Sequence, residues 1–179
     1  MPGDFNKLPP SQTPSSGVGF LLSQVGAHVA ATFAERIASF GLKPYHAGIL
    51  NVLANHPGLT QQALADLLGV FPSRLVALLD DLTKLELIER RTSPADRRTY
   101  SLHLTQAGRD MGSKIGSLAE AMQDDICSAL NEKERVTLAA LLSRIVAQQK
   151  ITPGVHPGYR KLGGAGGCGD EDSGGRPSI

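Results

Sequence analysis

The chain has 179 residues, 41% of them hydrophobic but only 4% aromatic, and a formal net charge of +1. That length supports one domain with tails, and a core poor in aromatics must be built from Leu, Ile, Val and Ala, a mix that favours helices. The near-neutral balance excludes a uniformly basic chain, so any contact with nucleic acid has to come from local clustering of charge. Two distant cysteines, Cys127 and Cys168, make neither a disulfide framework nor a metal knot and fit a reducing, cytoplasmic setting.

Residues 1–16 are rich in Pro, Ser and Gln and read as a flexible arm. They lack the apolar run of a signal peptide. From Gly17 to Phe40, apolar residues recur at spacings of three and four (Val18, Leu21, Leu22, Val25, Val29, Phe33, Ile37, Phe40), which predicts a first helix stopped by Gly41. Ser23, Gln24 and His28 make it too polar for a membrane span. Pro44 opens a second helix that runs to Asn55, and His56-Pro57-Gly58 breaks it.

Thr60 caps a short third helix, Gln61 to Leu68, which Gly69 ends. Pro72 and Ser73 open the fourth, carrying Leu75, Leu78, Leu79 and Leu82. Two short helices joined by Gly69-Val70-Phe71 have the pattern of a helix-turn-helix. In Ile88–Gly108, Arg90, Arg91, Arg97 and Arg98 flank a Ser-Pro-Ala-Asp turn, after which Tyr100, Leu102 and Leu104 alternate with polar residues. A period of two predicts a half-buried strand, hence a hairpin with a cationic tip. Thr105 caps a fifth helix with a stripe at Ala107, Met111, Ile115, Leu118, Met122, Ile126 and Leu130. Asn131 and Glu134 have capping-box spacing and start a sixth helix that fades near Lys150. Residues 152–179, with Gly-Gly-Ala-Gly-Gly, are predicted to be a disordered tail.

The predicted fold is mainly α with a small β-hairpin wing. A DNA-binding core over about 44–104 is flanked by helices over about 17–40 and 105–150, in a folded region of 17–151. The apolar stripes of the flanking helices exceed what a small winged core can cover, which predicts a twofold dimer.

The recognition candidate is the fourth helix. Pro72 and Ser73 stand at its positive end, where backbone N–H groups favour a phosphate. Arg74 has the reach for a guanine edge or a phosphate, and Val76 and Ala77 have the apolar surface for a thymine methyl. In the wing, Asp96 accepts hydrogen bonds that hold Arg98, and Arg97 reaches outward. Ordered arginines at a ribbon tip suit a narrow, electronegative minor groove. The competing reading is a solvated charged turn, with Ser73 a mere cap; Asp80 and Asp81 would repel phosphates if they faced them, and are expected to face away or to pair with arginines of the wing. No phosphate loop, nucleophile elbow or metal-binding helix motif appears, and neither an enzyme, a metal nor a cofactor is expected.

Asp96-Arg97-Arg98 followed by Leu104-Thr105-Gln106-Ala107-Gly108 resembles the wing signature of MarR-type winged-helix transcription regulators. The runs L-T-Q-Q-A-L-A-D-L-L-G-V and S-R-L-V-A-L-L-D-D-L-T-K-L-E-L-I-E-R also look like that family's third and fourth helices. The resemblance implies a homodimer reading a palindromic double-stranded site, with Ser73 and Arg74 facing DNA and Asp96 and Arg98 as the wing pair. It also implies a repressor released by a small phenolic or anionic ligand, for which Val25, His28, Phe33, Tyr45 and His46 are the candidate lining. Three positions depart from the family pattern: Ala77 replaces a frequent arginine, Asp81 a frequent basic residue, and Glu86 a glycine. A redox-responsive regulator of the same fold and a winged helix that binds protein are the alternatives.

Overall fold

Caps and breakers set the element boundaries. The computed structural model describes residues 17–92, 100–152 and 154–159. In them lie α1 (Val18–Ala38), α2 (Pro44–Asn55), α3 (Gln61–Leu68), α4 (Pro72–Lys84), β1 (Ile88–Thr92), β2 (Tyr100–Leu104), α5 (Gln106–Ile126), α6 (Glu132–Gln148) and a 3-10 turn at Pro157–Tyr159. The architecture is a mainly helical winged helix with a two-stranded antiparallel hairpin. The Thr60 hydroxyl accepts from the Ala63 N–H at 3.1 Å, and Asn131 and Glu134 form the expected reciprocal box. Gly69 takes the left-handed conformation (φ 65°) that closes α3 and turns the chain into α4, with a bend of 111° between the two helices.

The core sits where α2, α3, α4 and the hairpin meet. Ile49, Leu50 and Leu53 meet Leu64 and Leu68, then Leu75, Leu79 and Leu82, then Ile88 and Leu102, all at most 2% exposed. Each such side chain contributes about 1.5–3 kcal/mol by leaving water. From α1 only Ile37 is buried, with Phe33 packed alongside. The N-terminal half of α1 leaves Val18, Phe20, Leu21, Leu22 and Val25 exposed, and α6 buries none of its residues.

The hairpin pairs Ile88 with Leu104 and Thr92 with Tyr100. Leu102 and Leu104 face the core as expected, but Tyr100 is exposed, because its end of the ribbon extends past the last core layer. The segment between α2 and α3 adds a backbone edge absent from the sequence reading. Leu102 N–H donates to Leu59 O at 2.8 Å, Gly58 N–H donates to Leu102 O at 3.0 Å, and Thr60 bridges Ser101. A stretch this short shows no period of two, so nothing marked it as strand.

A disordered stretch beginning at residue 152 is not what the chain forms: Tyr159 is buried in the core cluster, with Val155 packed against it. Low complexity in the surrounding residues hides one anchoring aromatic. No single helix among the described residues is long and apolar enough to cross a membrane.

Candidate nucleic-acid interface

The N-terminus of α4 is built to stay open. Its N-cap is Phe71, which has no side-chain acceptor, and Pro72 occupies the first turn. Ser73 is therefore inside the helix rather than its cap. Pro72, Ser73, Arg74 and Ala77 are exposed, and Val76 is 37% exposed, while Leu75, Leu79 and Leu82 of the same helix are fully buried. The predicted contact residues thus share the solvent side of α4. Arg74 makes no ion pair among the described residues.

A groove of about 790 Å³ runs between this helix and the ribbon, lined by Thr60, Gln61, Gln62, Val76, Asp80, Arg90, Tyr100 and Leu102. Sequence reasoning missed Gln61, Gln62 and Tyr100 as groove residues. The available signal was their place on the first turn of α3 and on the strand leaving the wing.

The two aspartates of α4 do not add up to a barrier against phosphates. Asp80 accepts from the Arg90 guanidinium at 2.7 Å, tying the base of the wing to the recognition helix. Such an exposed pair adds only about 0–1 kcal/mol to stability, so its effect here is orientation. Asp81 turns toward α2, 3.8 Å from His46 Nε2. Arg91 donates to Glu89 through Nε at 3.0 Å and remains 60% exposed. Asp96, Arg97 and Arg98 lie outside the described residues.

Where α4, the wing and α5 meet, one threonine joins them. Thr105 Oγ1 donates to Glu86 O at 2.6 Å and accepts from Gly108 N–H at 3.0 Å, while Thr105 N–H donates to Leu87 O at 3.1 Å. A Cβ on Gly108 would collide with the Leu87 backbone. That approach is the physical content of the Leu-Thr-x-x-Gly run. Glu86 has φ 57°, the left-handed conformation expected where the family pattern has glycine.

The five candidate ligand residues differ widely in exposure. Val25 and His28 are exposed on α1, and Phe33 and Tyr45 are half-buried. His46 is buried, 3% exposed, with Nε2 facing Asp81 of α4, whereas its neighbour Tyr45 is half-buried. Successive helical residues point about 100° apart, so neighbours in sequence need not share a wall. Cys127 is half-buried just past the end of α5, and Cys168 lies outside the described residues.

Residues 40–99 match the profile of the MarR family. A Thauera aromatica protein assigned to transcriptional regulation of the hcr operon is 37% identical over 137 residues, 76% of this chain and 82% of that protein. The HTH-type transcriptional regulator MhqR of Bacillus subtilis is 26% identical over 62% of this chain and 77% of its own length. Among solved structures, the transcriptional repressor CouR bound to a 23-mer DNA duplex superposes with a TM-score of 0.64 at 31% identity, covering 72% of this chain and 92% of that one. Wild-type MarR from E. coli shares the fold with a TM-score of 0.66 at 21% identity, over 75% of this chain and 99% of that one.

Proposed function

The chain belongs to the MarR family of transcriptional regulators, not to an enzyme class, and from that premise we propose that it is a homodimeric repressor of a palindromic DNA site, released by a small aromatic or anionic effector. One observation carries the DNA reading: α4, whose uncapped N-terminus bears exposed Ser73 and Arg74, shares a groove with the arginine-bearing ribbon through Val76, Asp80 and Arg90. The family relative CouR is solved on duplex DNA, which supports it. α4 then enters the major groove from its N-terminal end, Arg74 contacts base edges or phosphate, and Arg97 and Arg98 of the wing tip enter the flanking minor groove with Asp96 holding Arg98.

The dimer reading is supported by the exposed apolar row on α1 and the unburied α6, which bears exposed Val136, Leu138, Leu141 and Ile145. Two copies place two recognition helices on two half-sites, so the target is palindromic. An effector bound between the dimer helices and the winged domains would alter the spacing of the two α4 helices.

The test is selection of an operator from genomic DNA, followed by titration at rising salt. Affinity should fall steeply as phosphate-bound counterions are released and recaptured. Arg98→Ala and Arg74→Ala should each weaken binding to the selected site by about 1–3 kcal/mol. Recovery of no palindromic site by intact, dimeric protein defeats the reading, as does an affinity indifferent to salt.

A further inference from the structure

After α6 the chain returns to the winged domain and seats one phenol in it. Tyr159 is 2% exposed, although it ends a stretch rich in Gly and Pro. Its hydroxyl donates to the carbonyl oxygen of Tyr45, on the first turn of α2. The two rings meet edge to face, with centroids 5.5 Å apart and planes at 63°. Gly48 forms the floor: a Cβ there would collide with the Tyr159 hydroxyl oxygen and stand 3.0 Å from Cε2 and Cζ of the ring. Burial holds the phenol above its ordinary pKa of 10, so it remains a neutral donor.

The rest of the attachment is slight. The backbone hydrogen bonds of the segment are local, with Val155 N–H donating to Thr152 O and Tyr159 N–H to His156 O. Among the described residues, the Tyr159 hydroxyl makes the one hydrogen bond from 151–159 to the winged domain. A cleft of about 190 Å³ separates Ile151, Thr152, Val155 and His156 from the end of α3 at Asp66–Gly69. A segment with little regular structure, held by the Tyr159 side chain and the packing of Val155, opens at low cost compared with a core helix.

We propose that Tyr159 is a tethered occupant of a phenol-shaped recess on α2, and that a free phenol competes with it and releases the C-terminal segment. The recess needs an acceptor carbonyl, an aromatic edge and a glycine floor, and none of these depends on the tether. The inference rests on the effector reading in one respect, since Tyr45 belongs both to the recess and to the candidate ligand lining. His46, the next residue, faces Asp81 of α4, so an exchange of occupants takes place one residue from the contact with the recognition helix. Tethering gives the internal phenol an effective concentration near the millimolar range, so a chain lacking it should bind a free phenol about tenfold or more tightly than the wild type.

The probe is 4-methylphenol, the tyrosine side chain as a free molecule, added to the full-length chain without DNA. Saturating probe should speed amide hydrogen exchange between Ile151 and Tyr159 in the wild type. Tyr159→Ala should bind the probe about tenfold or more tightly than the wild type and should discriminate against toluene, which lacks the donor. Tyr159→Phe keeps the ring but not the hydrogen bond, so its segment should exchange faster without probe and respond at lower probe concentration. Unchanged exchange in the wild type at concentrations that saturate Tyr159→Ala overturns the proposal. If Tyr159→Ala does not fold, a Tyr159→Phe chain identical to the wild type in exchange and probe response overturns it equally. Because DNA is absent, loss of operator binding would leave this result standing, and the converse also holds.

Discussion

His46 is the one side chain among the described residues with a buried polar atom that lacks a hydrogen-bond partner. Its Nδ1 accepts from the Lys43 N–H at 3.3 Å, which leaves the proton on Nε2. Nε2 points at Asp81, but 3.8 Å is too long for a hydrogen bond. Burial holds the imidazole below its ordinary pKa of 6.5, Asp81 pulls the other way, and Lys43 lowers it further. The contact at neutral pH is therefore between a neutral imidazole and a carboxylate, not a salt bridge. A folded pKa below the unfolded one means that the unfolded state binds more protons in mild acid. Stability from this group is complete above pH 6.5 and is lost as pH falls below it, at up to about 1.4 kcal/mol per pH unit. Urea denaturation between pH 7.5 and 5.5 should show this slope in the wild type and lose it in His46→Gln; parallel profiles would sink the assignment. The sequence showed a histidine beside a tyrosine, and only helix packing revealed that they face different neighbours.

Among the elements, the end of α4 departs from its local preferences, as the end of α6 does at Lys150. Glu86 is exposed and left-handed, a conformation that costs a side-chain-bearing residue about 1–2 kcal/mol. What over-determines it is the Thr105 lock, which holds Glu86 O and Leu87 O against the start of α5. Glu86→Gly removes the strain but adds freedom to the unfolded chain, offsetting about 0.5–1 kcal/mol. The expected net is a gain of about 0.5–1 kcal/mol in chemical denaturation; a loss of stability would mean that the Glu86 side chain makes a contribution absent from this account. The position was legible in the sequence because a glycine is missing there. Its lock was also half legible, as Thr105 and Gly108 stand three residues apart, but the Leu87 backbone that makes Gly108 necessary is not a neighbour in the chain.

Among the described residues, two helices carry rows of exposed apolar side chains that the winged core does not cover. Val18, Phe20, Leu21, Leu22 and Val25 on α1 and Val136, Leu138, Leu141 and Ile145 on α6 remain exposed. At about 1.5–3 kcal/mol per fully buried large aliphatic residue, covering part of them in the proposed dimer would offset the cost of association. Sedimentation should show a dimer for the wild type at micromolar concentration and a monomer for Leu21→Asp combined with Leu141→Asp. A monomeric wild type, or an unaltered dimer in the double variant, contradicts the interface. The split of α1 into a core-facing end and an open end follows from the same stripe of apolar residues. Periodicity reports which face of a helix is apolar, not which partner covers it.

Most helix starts and stops and the two hairpin strands were legible in the sequence, because a cap or a left-handed glycine acts on backbone groups within about four residues; the end of α5 at Ile126 was not, since its apolar stripe continues to Leu130. The alternation of β2 and the stripes of α1 and α5 were legible for the same reason. Tertiary structure alone decided which wing arginine Asp80 meets, Arg90 ten residues away, that His46 lies buried against Asp81, and that the Tyr159 hydroxyl reaches Tyr45, 114 residues away. These contacts join residues whose spacing carries no period. They exist because the packed core brings distant faces together, and a lone tyrosine in a glycine-rich tail shows its partner only once that core has formed.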